Sequence, residues 1–156
     1  MPVKINDLVG EMQLQSDEYK QFLNKETYEI IGSSTEELSI AEDSEEDDDF
    51  FRYPDWQRKS LREARDIVVN WKKYIELPDK WEINEYSIME GFCGSVGDDR
   101  ISHALYSSIR GKGAFRRFKY VLERYGIEQK WYSYYEDALS GIAIDWCQDN
   151  DIDYME

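Results

Sequence analysis

The residues of this chain best equipped for chemistry run Arg110-Gly111-Lys112-Gly113-Ala114-Phe115-Arg116-Arg117-Phe118-Lys119-Tyr120-Val121-Leu122-Glu123-Arg124. Two glycines a residue apart permit a tight backbone turn, and the cations after them form the most basic segment of an acidic protein. Read as a helix from Ala114, the stretch puts Phe115, Phe118, Leu122 and Tyr125 on one face with Val121 beside them, an apolar stripe directed at a core. Arg116, Arg117, Lys119, Tyr120 and Arg124 fan across the other side. A helix start with accessible amides and a positive dipole end attracts anions, and Lys112 adds a full charge. Arg110, Gly111, Lys112, Gly113, Arg116, Arg117, Lys119, Tyr120 and Arg124 are therefore the expected binding set, for an anion or a protein partner. The same residues also read as a plain inter-helix turn and a solvated helix face. They do not form a phosphate-binding P-loop, because G-x-x-x-x-G-K-[ST] is absent and Ala114 offers nothing to a magnesium ion.

Other chemistry has little to build on. His103 is the single histidine, and no Ser, Cys or Asp stands at a spacing that would make it a catalytic base, so a structural or surface role is expected. With one histidine a zinc site is not expected either. Cys93 and Cys147 lie far apart in apolar helical patterns, without C-x-x-C spacing, and read as buried free thiols. Carboxylates abound, and Glu85, Glu90 and Asp145 sit near apolar helices. Abundance is weak evidence for acid–base catalysis, which depends on geometry and environment. No catalytic residues, metal or cofactor are expected.

The elements that must position the basic stretch belong to a chain of 156 residues, long enough for one domain with a real core. Aromatic residues at 15% argue for a folded protein despite 34% charged residues. A net charge of −15 disfavours nonspecific binding of nucleic acid or anionic membrane by the whole molecule. Met1-Pro2-Val3-Lys4 leads into an amphipathic run rather than an apolar signal sequence. No stretch approaches the roughly 20 apolar residues of a membrane span. A cytoplasmic location with no membrane attachment is expected.

In chain order, Ile5, Leu8, Val9 and Met12 have helical spacing, so 4–14 reads as a short amphipathic helix. Glu18–Leu23 and Thr27–Ile31 read as two strands around Asn24-Lys25-Glu26, a β-hairpin that must pack on helices to be stable. Ser34 and Glu37 have capping-box spacing. Nine of the fourteen residues from Glu36 to Asp49 are Asp or Glu, which reads as an acidic, mobile linker at 36–49. Pro54 suits a helix start, and Ala64, Ile67, Val68, Trp71, Tyr74 and Ile75 trace one long apolar face up to Leu77-Pro78. Arg58, Lys59, Arg62, Glu63 and Arg65 read as its solvated side. Helices follow from Asn84 to Gly97, from Asp98 or Asp99 to Gly111, from Ala114 to Gly126, and from about Glu128 to Asp149. The expected fold is α+β, mostly α: a single domain, 1–156, with an N-terminal helix and β-hairpin packed on a bundle of about five helices.

Several of these stretches carry a resemblance. Leu77-Pro78, Tyr86-Ser87-Ile88-Met89-Glu90-Gly91-Phe92, Ile109 to Lys119, Trp131-Tyr132 and Trp146 resemble uncharacterised protein family 0158 of bacteria. Leu23 to Glu29 resembles that family's hairpin, with Tyr28 standing where its pattern has a turn glycine and Lys112 where arginine is common. The resemblance implies a common fold and brings no activity with it.

The functional expectation is a small, soluble, non-catalytic protein-interaction or regulatory module that uses the basic helix after Gly111-Lys112-Gly113 to meet a protein partner. The alternative is a nucleic-acid-related role. The basic helix would then line a phosphate path with Tyr120 and Tyr132 stacking on bases, or the acidic segment would mimic a nucleic-acid backbone. A further expectation is that 36–49 folds back on the basic helix and masks it. At physiological salt the Debye length is about 8 Å, so such masking requires close contact.

Overall fold

Apolar periodicity and capping residues set most of the elements. The computed structural model describes residues 2–45 and 47–156. The fold is α+β, mostly α. Its helices are α1 (Ile5–Gln13), α2 (Thr35–Asp43), α3 (Asp55–Val69), α4 (Lys80–Ile83), α5 (Glu85–Ser95), α6 (Asp99–Ser108), α7 (Ala114–Tyr125) and α8 (Glu128–Asp149). Its strands are β1 (Val3–Lys4), β2 (Tyr19–Asn24), β3 (Ile30–Ser34), β4 (Tyr74–Glu76) and β5 (Tyr154–Met155). The chain divides into two compact units, one reaching Lys80 and including Ala143–Glu156, the other Trp81–Ile142.

In the first unit, α1 buries Ile5, Leu8, Val9 and Met12 as its spacing predicts. The hairpin forms too, with Phe22 opposite Ile31 and Leu23 opposite Ile30. Its second strand starts at Ile30 rather than Thr27, because the turn is longer. The Asn24 side chain accepts hydrogen bonds from the amides of Glu26 (2.9 Å) and Thr27 (3.2 Å), closing an Asx turn that consumes those residues. Tyr28 then takes a left-handed φ of 63°, the conformation a turn glycine adopts at no steric cost. Its hydroxyl accepts the amide of Asp153 at 3.2 Å.

Three strands escape the sequence reading, β4 and the pair β1 and β5. The apolar face of α3 stops at Val69, and Tyr74–Glu76 leaves the helical path to pair antiparallel with β2, giving the order β3-β2-β4. The helical spacing of Trp71, Tyr74 and Ile75 is thus misleading, and Trp71 ends 65% exposed. Pairing with Leu23 and Phe22 outweighs continuation of a helix by a Tyr-Ile pair that suits a strand equally well. Val3 pairs in parallel with Tyr154. The Trp146 indole donates to the Glu76 carbonyl at 3.2 Å, fixing β4 to the end of α8.

The acidic segment is half helix. Ser34 caps α2 by accepting the Glu37 amide at 3.0 Å, and Glu37 accepts the Ser34 hydroxyl at 3.2 Å. Ala41 is buried, and α2 lies against α3. One apolar anchor and acidic residues in the first turn, where they face the positive dipole end, favour the helix over a linker. Of the remainder, Glu46 lies outside the described residues.

The loop before α3 is held by arginines that read as solvated in the sequence. Arg65 donates to the Asp48 carbonyl, and its guanidinium lies 4.7 Å from the centre of the buried Phe50 ring. Arg58 Nε donates to the Tyr53 carbonyl at 2.9 Å.

In the second unit the helix starts expected at Asn84 and Asp98 and the stop at Gly126 are present, while α6 ends at Ser108, short of the expected Gly111. Asn84 accepts the Ser87 amide at 3.2 Å, and Asp98 accepts those of Arg100 and Ile101 at 2.9 and 3.2 Å. α7 ends in a Schellman turn. The Ile127 amide reaches the Leu122 carbonyl at 3.0 Å, and the Gly126 amide reaches that of Glu123 at 3.2 Å. The core here is aromatic. Phe118 lies edge-on to Trp131 with ring centres 4.9 Å apart, and Phe92 is 5.4 Å from both Trp131 and Tyr134. Gly91 makes room for this, since a Cβ there would collide with the Tyr134 hydroxyl.

Candidate functional site

The aromatic cluster fixes the rotation of α7. With Phe118 and Leu122 buried, residues 116, 120 and 124 must face away from the core. Phe115 does not follow its expected stripe: it is 45% exposed. The first turn of α7 projects past the cluster, which closes at Phe118, and the Lys119 ammonium covers the Phe115 ring at 4.9 Å.

A groove of about 530 Å³ runs between α6 and α7. Arg116, Arg117, Tyr120, Val121 and Arg124 form one wall, and Ala104, Ser107 and Ser108 form the other. The structure therefore brings together four of the expected binding residues: Arg116, Arg117, Tyr120 and Arg124. Arg110, Gly111, Lys112 and Gly113 form the exposed turn that joins the two helices, and Lys119 points to the other flank with Phe115. The residues on α6 escape the sequence reading. Their signal is a strip of small residues at i, i+3 and i+4, which resembles any solvated helix side.

The four residues are not equivalent. Arg117 is a structural clasp. Its Nε donates to the Ser108 carbonyl at 3.0 Å, and its two terminal nitrogens donate to the carbonyls of Lys112 and Arg110. A planar fork of donors suits three converging carbonyls, and a cation at the end of α6 complements the negative end of that helix. Gly111 and Gly113 supply the left-handed φ values, 74° and 76°, that turn those carbonyls toward it.

Arg116 and Arg124, by contrast, form no ion pair among the described residues. The Arg124 guanidinium lies 5.6 Å from the centre of the Tyr125 ring. Tyr120 between them is 67% exposed. The site is thus two unpaired cations flanking an exposed phenol ring, opposite the small side chains of α6. Such a surface attracts carboxylates or phosphates and offers an aromatic face for packing.

Nothing in the second unit adds a reactive group to this groove. His103 is exposed on α6. Cys93, and Cys147 in the first unit, are buried free thiols, and burial pushes both up to about 11, well away from the range of a reactive thiolate. Tyr135 is pushed up to about 12 by burial and by the neighbouring carboxylate of Glu85. Among the described residues, no three His, Cys, Asp or Glu side chains converge as a metal site would require. Among the same residues, no helix is long and apolar enough to cross a membrane.

The groove lies within a stretch shared with other proteins. A UPF0158 protein of Pseudomonas aeruginosa is 32% identical over 66 residues, which make up 42% of this chain and 43% of that protein. The chain thus spans less than half the length of this relative. No solved structure matches. The sequence profile of a family described as "Uncharacterised protein family (UPF0158)" matches residues 54–156, which hold α3 to α8 and leave the hairpin outside. The chain belongs to the uncharacterised protein family UPF0158.

Proposed function

We propose that this protein is a non-catalytic interaction module of the bacterial cytoplasm, and that the α6–α7 groove receives an acidic segment of a protein partner. The observation that carries the reading is the pair Arg116 and Arg124, unpaired on either side of the exposed Tyr120 in a chain of net charge −15. Thirty-four acidic side chains are available to neutralise nineteen basic ones, yet this face keeps two arginines without an ion-pair partner among the described residues. An exposed aromatic ring between two guanidinium groups has the make-up of an interface centre, where Tyr and Arg are enriched. The overall negative charge works against long polyanions and favours a short, locally acidic ligand.

The test is affinity capture from bacterial lysate, with and without nuclease, comparing the wild type with Arg116→Glu/Arg124→Glu. Both arginines are exposed, so the variant keeps its far-ultraviolet circular dichroism. A protein that resists nuclease and is lost in the variant supports the reading. Recovery of nucleic acid, or loss of the bound protein on nuclease treatment, replaces it with phosphate binding by the same helix.

A further inference from the structure

We propose that the groove reads a specific spacing: an extended segment of the partner carrying acid-x-apolar-x-acid. This rests on the acidic-partner reading above and adds the geometry of what is bound. Arg116 and Arg124 are eight residues apart on one helix, about 12 Å along its axis at 1.5 Å per residue, with Tyr120 midway at about 6 Å. An extended chain advances about 3.3 Å per residue and points every second side chain to the same face. Residues i, i+2 and i+4 of such a segment therefore stand about 6.6 and 13 Å apart along one face, the spacing of the three groove side chains. An acidic residue at i meets one arginine, an apolar residue at i+2 packs on the Tyr120 ring beside Val121, and a second acidic residue at i+4 meets the other arginine.

The opposite wall favours an extended ligand over a helical one. Ala104 and Ser107 are small side chains, leaving room for a backbone to lie along α6. The Ser107 hydroxyl makes no hydrogen bond among the described residues, whereas the neighbouring Ser108 hydroxyl donates to Leu105 at 2.6 Å. An extended backbone brings unpaired N–H and C=O groups that need partners, and a helix satisfies its own. Arg117 takes no part in recognition, because its donors already hold the turn.

The experiment is fluorescence anisotropy with the full chain and labelled peptides at low ionic strength. The matched probe is Gly-Ser-Glu-Thr-Leu-Thr-Glu-Ser-Gly. The control, Gly-Ser-Thr-Glu-Leu-Glu-Thr-Ser-Gly, has the same composition and charge with its acids only two residues apart. The matched peptide is expected to bind at least about tenfold more tightly, the effect of losing one charged contact. Arg116→Ala, Tyr120→Ala and Arg124→Ala each remove most of that advantage. Equal affinity for the two peptides overturns the spacing while leaving the acidic-partner reading in place. Binding of neither peptide overturns both. A single-stranded oligonucleotide bound more tightly than either peptide also overturns both.

Discussion

Replacing Arg117 with alanine tests whether one side chain holds the turn between α6 and α7. The Nε bond to Ser108 reaches a carbonyl of a residue that is 6% exposed, where water is a poor substitute. A charged hydrogen bond in that setting contributes about 1.5–3 kcal/mol. The bonds to Lys112 and Arg110 lie in an exposed turn, so each adds only about 0.5 kcal/mol. The cation near the last turn of α6 contributes about 0.3–1 kcal/mol more. Arg117→Ala should therefore cost about 3–5 kcal/mol in urea unfolding followed by circular dichroism. Arg117→Lys keeps the charge but cannot span three carbonyls, and should cost about 1–2 kcal/mol. A loss under about 0.5 kcal/mol for the alanine variant would refute the clasp. A double-mutant cycle with Gly113→Ala sharpens the result. A Cβ there meets the Arg117 guanidinium at 3.1 Å in a left-handed backbone, so the two substitutions should be less than additive. The same reasoning directs charge reversals of this helix to Arg116 and Arg124, since reversal at Arg117 would confuse lost binding with lost structure.

Three other outcomes follow from the packing. Gly32→Ala in β3 places a Cβ 2.5 Å from the Gln21 side-chain oxygen and against the Tyr19 ring, displacing a buried glutamine that holds Glu11 at 2.5 Å; unfolding in urea should show a loss of about 1–3 kcal/mol. Ser34→Ala removes the cap of α2 and should cost about 1 kcal/mol, with reduced hydrogen-exchange protection confined to residues 35–43. Stability should fall as pH rises above about 9. Tyr74, pushed up to about 12 by burial and by Asp66, joins Cys93, Cys147 and Tyr135 in holding its proton more tightly in the folded state. The unfolded chain then releases protons first, so the stabilisation is complete below pH 9 and drains away between about 9 and 12; a flat melting temperature over that range would contradict it.

Much of the site's scaffold is legible in the residues themselves. Caps at Ser34, Asn84 and Asp98 and the glycine stop at Gly126 mark helix ends because they act within one turn of chain. The stripe of Phe118 and Leu122 fixes which side of α7 turns inward, and so places Arg116, Tyr120 and Arg124 outside. Tyr28 is different: its left-handed φ of 63° at the hairpin turn has no signal in its own side chain.

What the sequence alone settled were interactions between residues close in the chain, whose geometry follows from helical period and capping chemistry. Only the tertiary structure decided those that join distant segments. β4 is a strand because β2 offers an open edge, and no local signal separates Tyr74-Ile75 from the helical run before it. Phe115 is exposed because the aromatic cluster ends one turn below it. Arg117 and Arg116 are adjacent cations of equal propensity, and position alone distinguishes them. One meets three backbone carbonyls at the end of α6, and the other meets solvent. Side-chain roles of this kind depend on which partner the fold brings within about 3 Å, and periodicity carries no information about that distance.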